Sequence, residues 1–416
     1  MESVFSQVTE IDRDKVNKLI MSRLFKIAMV AACPFPYPRG TPIRIFKMAQ
    51  ALARRGHEVH VVTYHLGVDV KQDLFKIHRI PDVKTYRKCS PGPTFQKLLF
   101  IDLLLAIKLY NILRTYEIDL IHAHNYEGLL VSIGVRKLTK HPVIYDAHTI
   151  LTSELPYYEF GLPKYIRNDI ARRLDMLIPN MADYVVSVTD DIEKELTRHK
   201  QVSPSKISVI PSGVEFDQFN IKPEKNKECE RKIKILIFTG NLASYQRIDL
   251  LLRAFAQVLG QRDDVRLLII SDSPFDNYEP LAEALGIRAY IDILRFDFAE
   301  IPPYIVNADV ALNSRIECPG IPQKILNYMA AGKAIVSFEG SAKNLEHGNT
   351  GLIIENGNIK EFSKAIIQLL EDPELSHKLG TNAKIAASNY TWEKTAQMAE
   401  EVYEKVLKSR KRTTEE

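Results

Sequence analysis

The sequence predicts an α/β protein of two successive doubly wound domains, and three observations carry that expectation. Buried-strand runs alternate with helical periodicity along nearly the whole chain, as when helices cover both faces of parallel sheets. The alternation breaks at the polar stretch 222–232 (KPEKNKECERK), which has the composition of an exposed linker, and then restarts. The length, 416 residues, exceeds one ordinary core, and a composition of 45% hydrophobic and 26% charged residues is that of a globular protein.

The elements follow in order. Residues 1–22 mix acids and bases without an apolar run, so they read as a flexible tail and not as a signal peptide. The first domain spans 23–212. Residues 26–32 (KIAMVAA) are apolar throughout, as in a parallel strand covered on both faces. A proline-rich loop, CPFPYPRG, leads through Gly40 to a helix with Thr41 as N-cap, Arg44 in its first turn and Gly56 closing it. Strands at 58–63, 74–80, 120–122, 143–145, 184–188 and 207–210 then alternate with helices at 95–116, after Tyr126, at 163–181 and after the N-cap Thr189. The second domain, 213–391, repeats the pattern with strands at 233–239, 265–270, 289–294, 310–312, 334–338 and 351–354. Its helices fall at 248–259, 278–285, 322–331, 359–370 and 374–387, and a last helix follows Thr391.

Chemistry concentrates where strands end. Three turns place a glycine just before a cation at a helix start: Gly40 with Arg44, Gly240 with Arg247, and Gly320 with Lys324. The helix after Gly320 has no carboxylate in its first turn, and Asn327 follows on the same face as Lys324. A lysine there opposes the helix dipole unless the ammonium and the open N–H groups share a phosphate; the alternative is a solvated lysine. None of the three turns has the spacing of a dinucleotide or Walker loop, which argues against nicotinamide chemistry and nucleotide hydrolysis. No metal constellation stands out; Asp12-Arg13-Asp14 lies in the tail. The four cysteines show neither pairing nor metal spacing, which suits a reducing, cytoplasmic setting. His122, His124 and His148 sit at strand ends, with Asn125, Asp146 and Glu154 beside them, and His148 could hold a sugar hydroxyl. Residues 1–200 carry 29 Lys/Arg against 22 Asp/Glu, an excess that could meet an anionic membrane. The apolar window 98–110 is too short to span a bilayer.

These residues resemble glycosyltransferase family 4, enzymes of GT-B fold in which two Rossmann-like domains face each other across a cleft. AQALARRGHEVHVVT is similar to the family's first βαβ unit, DLIHAHNYEG and VIYDAHT to its histidine-bearing strand ends, and VIPSGVEFDQF to its hinge, with Ser212 where Asn is usual. FTGNLASYQRIDLLLRAF and the stretch from Cys318 to GLIIENGN resemble the nucleotide-sugar domain, and NYTWEKTAQMAEEVYEKVL the helix 392–416 that crosses back onto the acceptor-side domain. The resemblance implies transfer of a hexose-type sugar, with retention, from a nucleotide-diphosphate sugar to a glycan, lipid or small-molecule acceptor. It implies no metal, no cofactor besides the donor and no nucleic-acid partner. By position, Gly40, Gly320 and Ile321 approach the diphosphate or sugar, His148 contacts the donor sugar, and Asn327 faces the ribose. His124, Asn125 and Glu154 lie on the acceptor side. A lipid-linked acceptor would bring peripheral contact at the inner face of the membrane.

The chain also departs from the family pattern. The family's paired glutamates fall on Pro319 and Asn327, so Glu317 is the candidate substitute carboxylate. Its Arg and Lys beside the diphosphate fall on Asn241 and Gln246, which leaves Arg247 and Lys324 as candidate cations. Removing either is expected to weaken donor binding by about 1–3 kcal/mol. Two other readings stay open: a nucleotide-sugar epimerase of the same fold, and a non-catalytic sugar- or partner-binding member.

Overall fold

The computed structural model describes residues 23–37, 40–89, 92, 94–157, 163–198, 202–221, 233–295, 300–318 and 320–415, with side chains through 410. The tail 1–22, the linker 222–232 and Pro319 lie outside these. Seven parallel strands form the first sheet: β1 (Lys26–Ala31), β2 (Glu58–Thr63), β3 (Lys76–Arg79), β4 (Leu120–His124), β5 (Val143–Ala147), β6 (Tyr184–Ser187) and β7 (Ile207–Val209). Their order is β3-β2-β1-β4-β5-β6-β7. The second sheet holds β8 (Lys234–Thr239), β9 (Val265–Ile270), β10 (Ile291–Leu294), β11 (Val310–Asn313), β12 (Ala334–Phe338) and β13 (Leu352–Ile354), in the order β10-β9-β8-β11-β12-β13. Each order reverses direction once, between β1 and β4 and between β8 and β11. In open α/β sheets such switch points leave a crevice at the carboxyl ends of the strands.

Both faces of each sheet are covered, which is why the strands read as continuous apolar runs. The helices Asp102–Thr115, Asn125–Thr139, Lys164–Leu177 and Asp190–Thr197 cover one face of the first sheet around Leu105, Leu109, Leu129, Tyr145 and Ile192. The helices Gly40–Arg54 and Trp392–Glu415 cover the other, with Met29, Ile45, Met48 and Tyr403 in the core between. The last helix is fixed there by Glu400, whose carboxylate takes Arg55 Nη2 at 2.7 Å and His57 Nε2 at 2.7 Å. The chain passes between the domains twice at one place. Val214 bridges Thr391, and Gly213 packs so tightly on Trp392 that a Cβ would lie 2.4 Å from its backbone nitrogen. Only glycine fits there.

The predicted caps form: Thr189 Oγ1 accepts from Ile192 N at 3.3 Å and Thr391 Oγ1 from Lys394 N at 3.2 Å. Other boundaries differ. The first helix begins at Gly40, so Thr41 lies inside it. The helix expected at 95–116 starts as a π-helical turn, Lys97–Ile101. The helix Ile301–Asn307 is unanticipated, because seven residues opened by two prolines carry too little periodicity to be seen.

Candidate active site

The first cluster stands at the β1/β4 switch point. Ala31 pairs with His124, whose neighbour on β5 is Asp146, so the register brings separated polar residues to one strand end. Asp146 is fully buried, and Arg44 grips both its oxygens, Nε to Oδ2 at 3.1 Å and Nη2 to Oδ1 at 3.3 Å. Arg44 also donates to Ile210 O at 2.8 Å and to Ser212 Oγ at 3.2 Å. Expected as a donor-binding cation, Arg44 is instead the buried counter-ion of Asp146, and its fork is filled. Burial alone would raise the Asp146 carboxyl; Arg44, and then His148, outweigh it and hold the group well below the usual carboxylate range.

The three histidines ring the same carboxylate. His124 Nδ1 lies 3.1 Å from His148 Nε2, and His122 Nδ1 lies 2.7 Å from the Tyr403 hydroxyl of the last helix. Burial pushes His124 down to about 4 and His148 to about 3, so both rings are neutral near pH 7. His122, His124 and Asp146 offer ligand atoms within 4.8 Å of one another, close enough to hold a cation. Asp146, however, already carries the positive charge of Arg44 through both oxygens. Asn125 opens the next helix in a left-handed conformation (φ 60°), with Oδ1 buried and unpaired among the described residues. Glu154 is half-buried in the helical turn Leu151–Glu154, held by Asp175, whose carboxylate accepts from Leu151 N and Thr152 N at 2.9 and 3.0 Å. Beside it opens a cavity of ≈ 540 Å³ lined by Thr152, Pro156, Lys164, Tyr165 and Asn168.

The second cluster stands at the β8/β11 switch point. Helix Gln323–Ala330 has no side-chain cap and no acid in its first turn. Lys324 is buried, with Nζ 3.7 Å from the centre of the Phe238 ring and donating to Gln246 Oε1 at 3.0 Å. Among the described residues it makes no ion pair. Burial, then the nearby Arg315, pulls its ammonium well below the ordinary lysine value. Gly240, at φ 126°, makes the room: a Cβ there would lie 3.3 Å from Lys324 Nζ. Gln246, where the family has a cation, thus serves as the acceptor that steers Lys324.

The other predicted residues gather less closely. Arg247 forms a bidentate pair with Asp249, both bonds 2.9 Å, so the cation expected for the diphosphate is already neutralised. Asn241 donates to the Tyr245 hydroxyl at 2.7 Å. Gly320 and Ile321 are half-buried just before the helix, and Asn327 is buried within it, its Oδ1 unpaired among the described residues. Glu317 is exposed, its carbonyl oxygen accepting from Arg315 Nε at 2.5 Å. Sequence reasoning missed Arg315. Its guanidinium lies 4.7 Å from the centre of the Tyr245 ring, which joins the loops after β8 and β11. Its place just past a strand end was the available signal.

Two parallel-sheet α/β domains, each with polar residues at its switch point, have the GT-B architecture. Residues 38–218 match the family described as Glycosyltransferase Family 4, and residues 233–372 match Glycosyl transferases group 1. The chain belongs to glycosyltransferase family 4. It is 25% identical over 393 residues to D-inositol 3-phosphate glycosyltransferase of Corynebacterium aurimucosum, covering 88% of this chain and 90% of that one. Among solved structures it resembles sucrose-phosphate synthase from Thermosynechococcus elongatus, with TM-score 0.78 and 18% identity over 93% of this chain and 100% of that one. It also resembles Anabaena Alr3699/HepE in complex with UDP-glucose, with TM-score 0.68 and 17% identity over 92% and 100%.

Proposed function

We propose that this glycosyltransferase moves a hexose from a nucleotide-diphosphate sugar to an acceptor hydroxyl, with retention at the anomeric carbon and without a metal ion. One observation carries the reading: Lys324 is a buried cation that pairs with no carboxylate among the described residues, beside an uncapped helix start and a second cation, Arg315. A buried charge is costly without an opposite one, and a diphosphate supplies it. The leaving group's charge, which grows as the anomeric C–O bond breaks, then meets fixed donors in place of water. The acceptor oxygen bonds to the anomeric carbon on the face the phosphate leaves, and its proton passes to the departing phosphate oxygen. His148, neutral at assay pH, hydrogen-bonds a sugar hydroxyl, and Asn327 faces the ribose. The acceptor enters beside His124, Asn125 and Glu154. The complex of the Anabaena neighbour with UDP-glucose supports a nucleotide-sugar donor.

A thermal-shift panel of UDP-, GDP- and ADP-sugars tests the donor: one should raise the unfolding midpoint in wild type and not in Lys324→Ala. A panel that leaves the midpoint unmoved refutes the assignment. With the donor known, an α-linked product from an α-donor, formed equally with and without EDTA, is expected. An inverted product, or a rate restored only by added divalent ion, overturns retention or metal independence respectively.

A further inference from the structure

The two faces of the first domain differ in what they show to solvent. On the layer containing the helices Asp102–Thr115, Asn125–Thr139 and Lys164–Leu177, large apolar side chains point outward. Phe95, Leu99, Leu103 and Ile107 follow one another every four residues at 82%, 74%, 55% and 51% exposure, and Leu98 and Phe100 lie beside them. The neighbouring helices add Leu130, Leu138, Tyr165, Met176 and Leu177. On the opposite layer, Gly40–Arg54 and Trp392–Glu415, the one large apolar residue exposed among the described side chains is Met398, at 36%. A monomer in water has no reason to concentrate such groups on one face.

Cations are interleaved with them. The π-helical turn and these three helices carry nine Lys/Arg and four Asp/Glu, with Arg114, Lys137, Arg172 and Arg173 exposed. Apolar side chains among cations suit a surface that lies in the headgroup region of an anionic bilayer. A second copy packed on the same face would set this basic layer against itself, because a two-fold interface uses the same patch on both partners. The stripe also reaches the site. Lys97 Nζ, at the start of its helix, bonds Glu127 at 2.7 Å, two residues past Asn125.

We propose that this helical layer docks the first domain on an anionic lipid bilayer, with the apolar stripe from Phe95 to Ile107 sunk among the lipids, so that a lipid-linked acceptor reaches the cleft beside Asn125. The acceptor part rests on the glycosyl-transfer reading; the docking does not, and is measured with no donor present. Flotation of the full chain at low salt with phosphatidylcholine vesicles, with or without phosphatidylglycerol, is the test. Wild type should float only with the anionic vesicles, and high salt should release it. Leu99→Glu/Leu103→Glu should lower the bound fraction roughly ten-fold, and Arg172→Ser/Arg173→Ser by a similar factor. Both variants alter exposed side chains and should keep the wild-type unfolding midpoint. No flotation with anionic vesicles, or flotation of Leu99→Glu/Leu103→Glu equal to wild type, overturns the proposal. So does a wild-type dimer in sedimentation velocity that Leu99→Glu/Leu103→Glu splits, since a second copy then covers the face.

Discussion

Arg44 and Lys324 begin alike and end differently. Each lies near the start of a helix, four residues after a glycine, and each is buried, at 3% and 9% exposure. Arg44 meets Asp146 across the β1/β4 switch point, so its charge is matched within the fold. Lys324 meets a ring, an amide oxygen and another cation. The same local signal therefore produced a structural ion pair in one domain and, among the described residues, an unmatched charge in the other. A buried cation becomes a candidate ligand group only when no side chain in its own fold has already neutralised it.

The largest expected effect breaks the comparison open. Arg44→Met should destabilise the protein by about 3–5 kcal/mol in denaturant unfolding, because it strands Asp146 as an uncompensated buried charge. Lys324→Met should leave the unliganded protein as stable as wild type or more so, while abolishing the donor-induced rise in midpoint. Equal losses of stability in the two variants would erase the distinction.

A smaller effect comes with pH. His124 and His148 titrate at about 4 and about 3 in the folded protein, against about 6.5 when unfolded. Between pH 6.5 and 4 the unfolded chain takes up protons that the folded one refuses, so stability present above 6.5 falls as pH falls. The slope is about 1.4 kcal/mol per pH unit for each such histidine. His124→Asn should flatten the fall by one proton in unfolding curves across that range; an unchanged slope would mean that the ring is charged in the fold.

The smallest effect belongs to Arg247. Its pair with Asp249 is about one-third exposed, so Arg247→Ala should change stability and donor affinity by under about 1 kcal/mol in calorimetry. A loss matching that of Lys324→Ala would restore Arg247 as a phosphate ligand.

The fold was legible because its signals are local. The run KIAMVAA, the caps Thr189 and Thr391 and the glycine Gly56 each declare their element within a few residues, and alternation then implies parallel sheets. The site was legible in part. Lys324, Gly240 and the strand-end histidines stand out by their neighbours in the chain, whereas Arg315 does not.

By itself the sequence determined two α/β domains, a family and a set of polar strand ends, since periodicity and caps depend on residues close together in the chain. Only the tertiary structure decided which charges are matched. Arg44 lies 102 residues from Asp146, and Lys324 lies 78 from Gln246. Pairing across such separations follows from strand order and register, because charges interact through space and not along the chain.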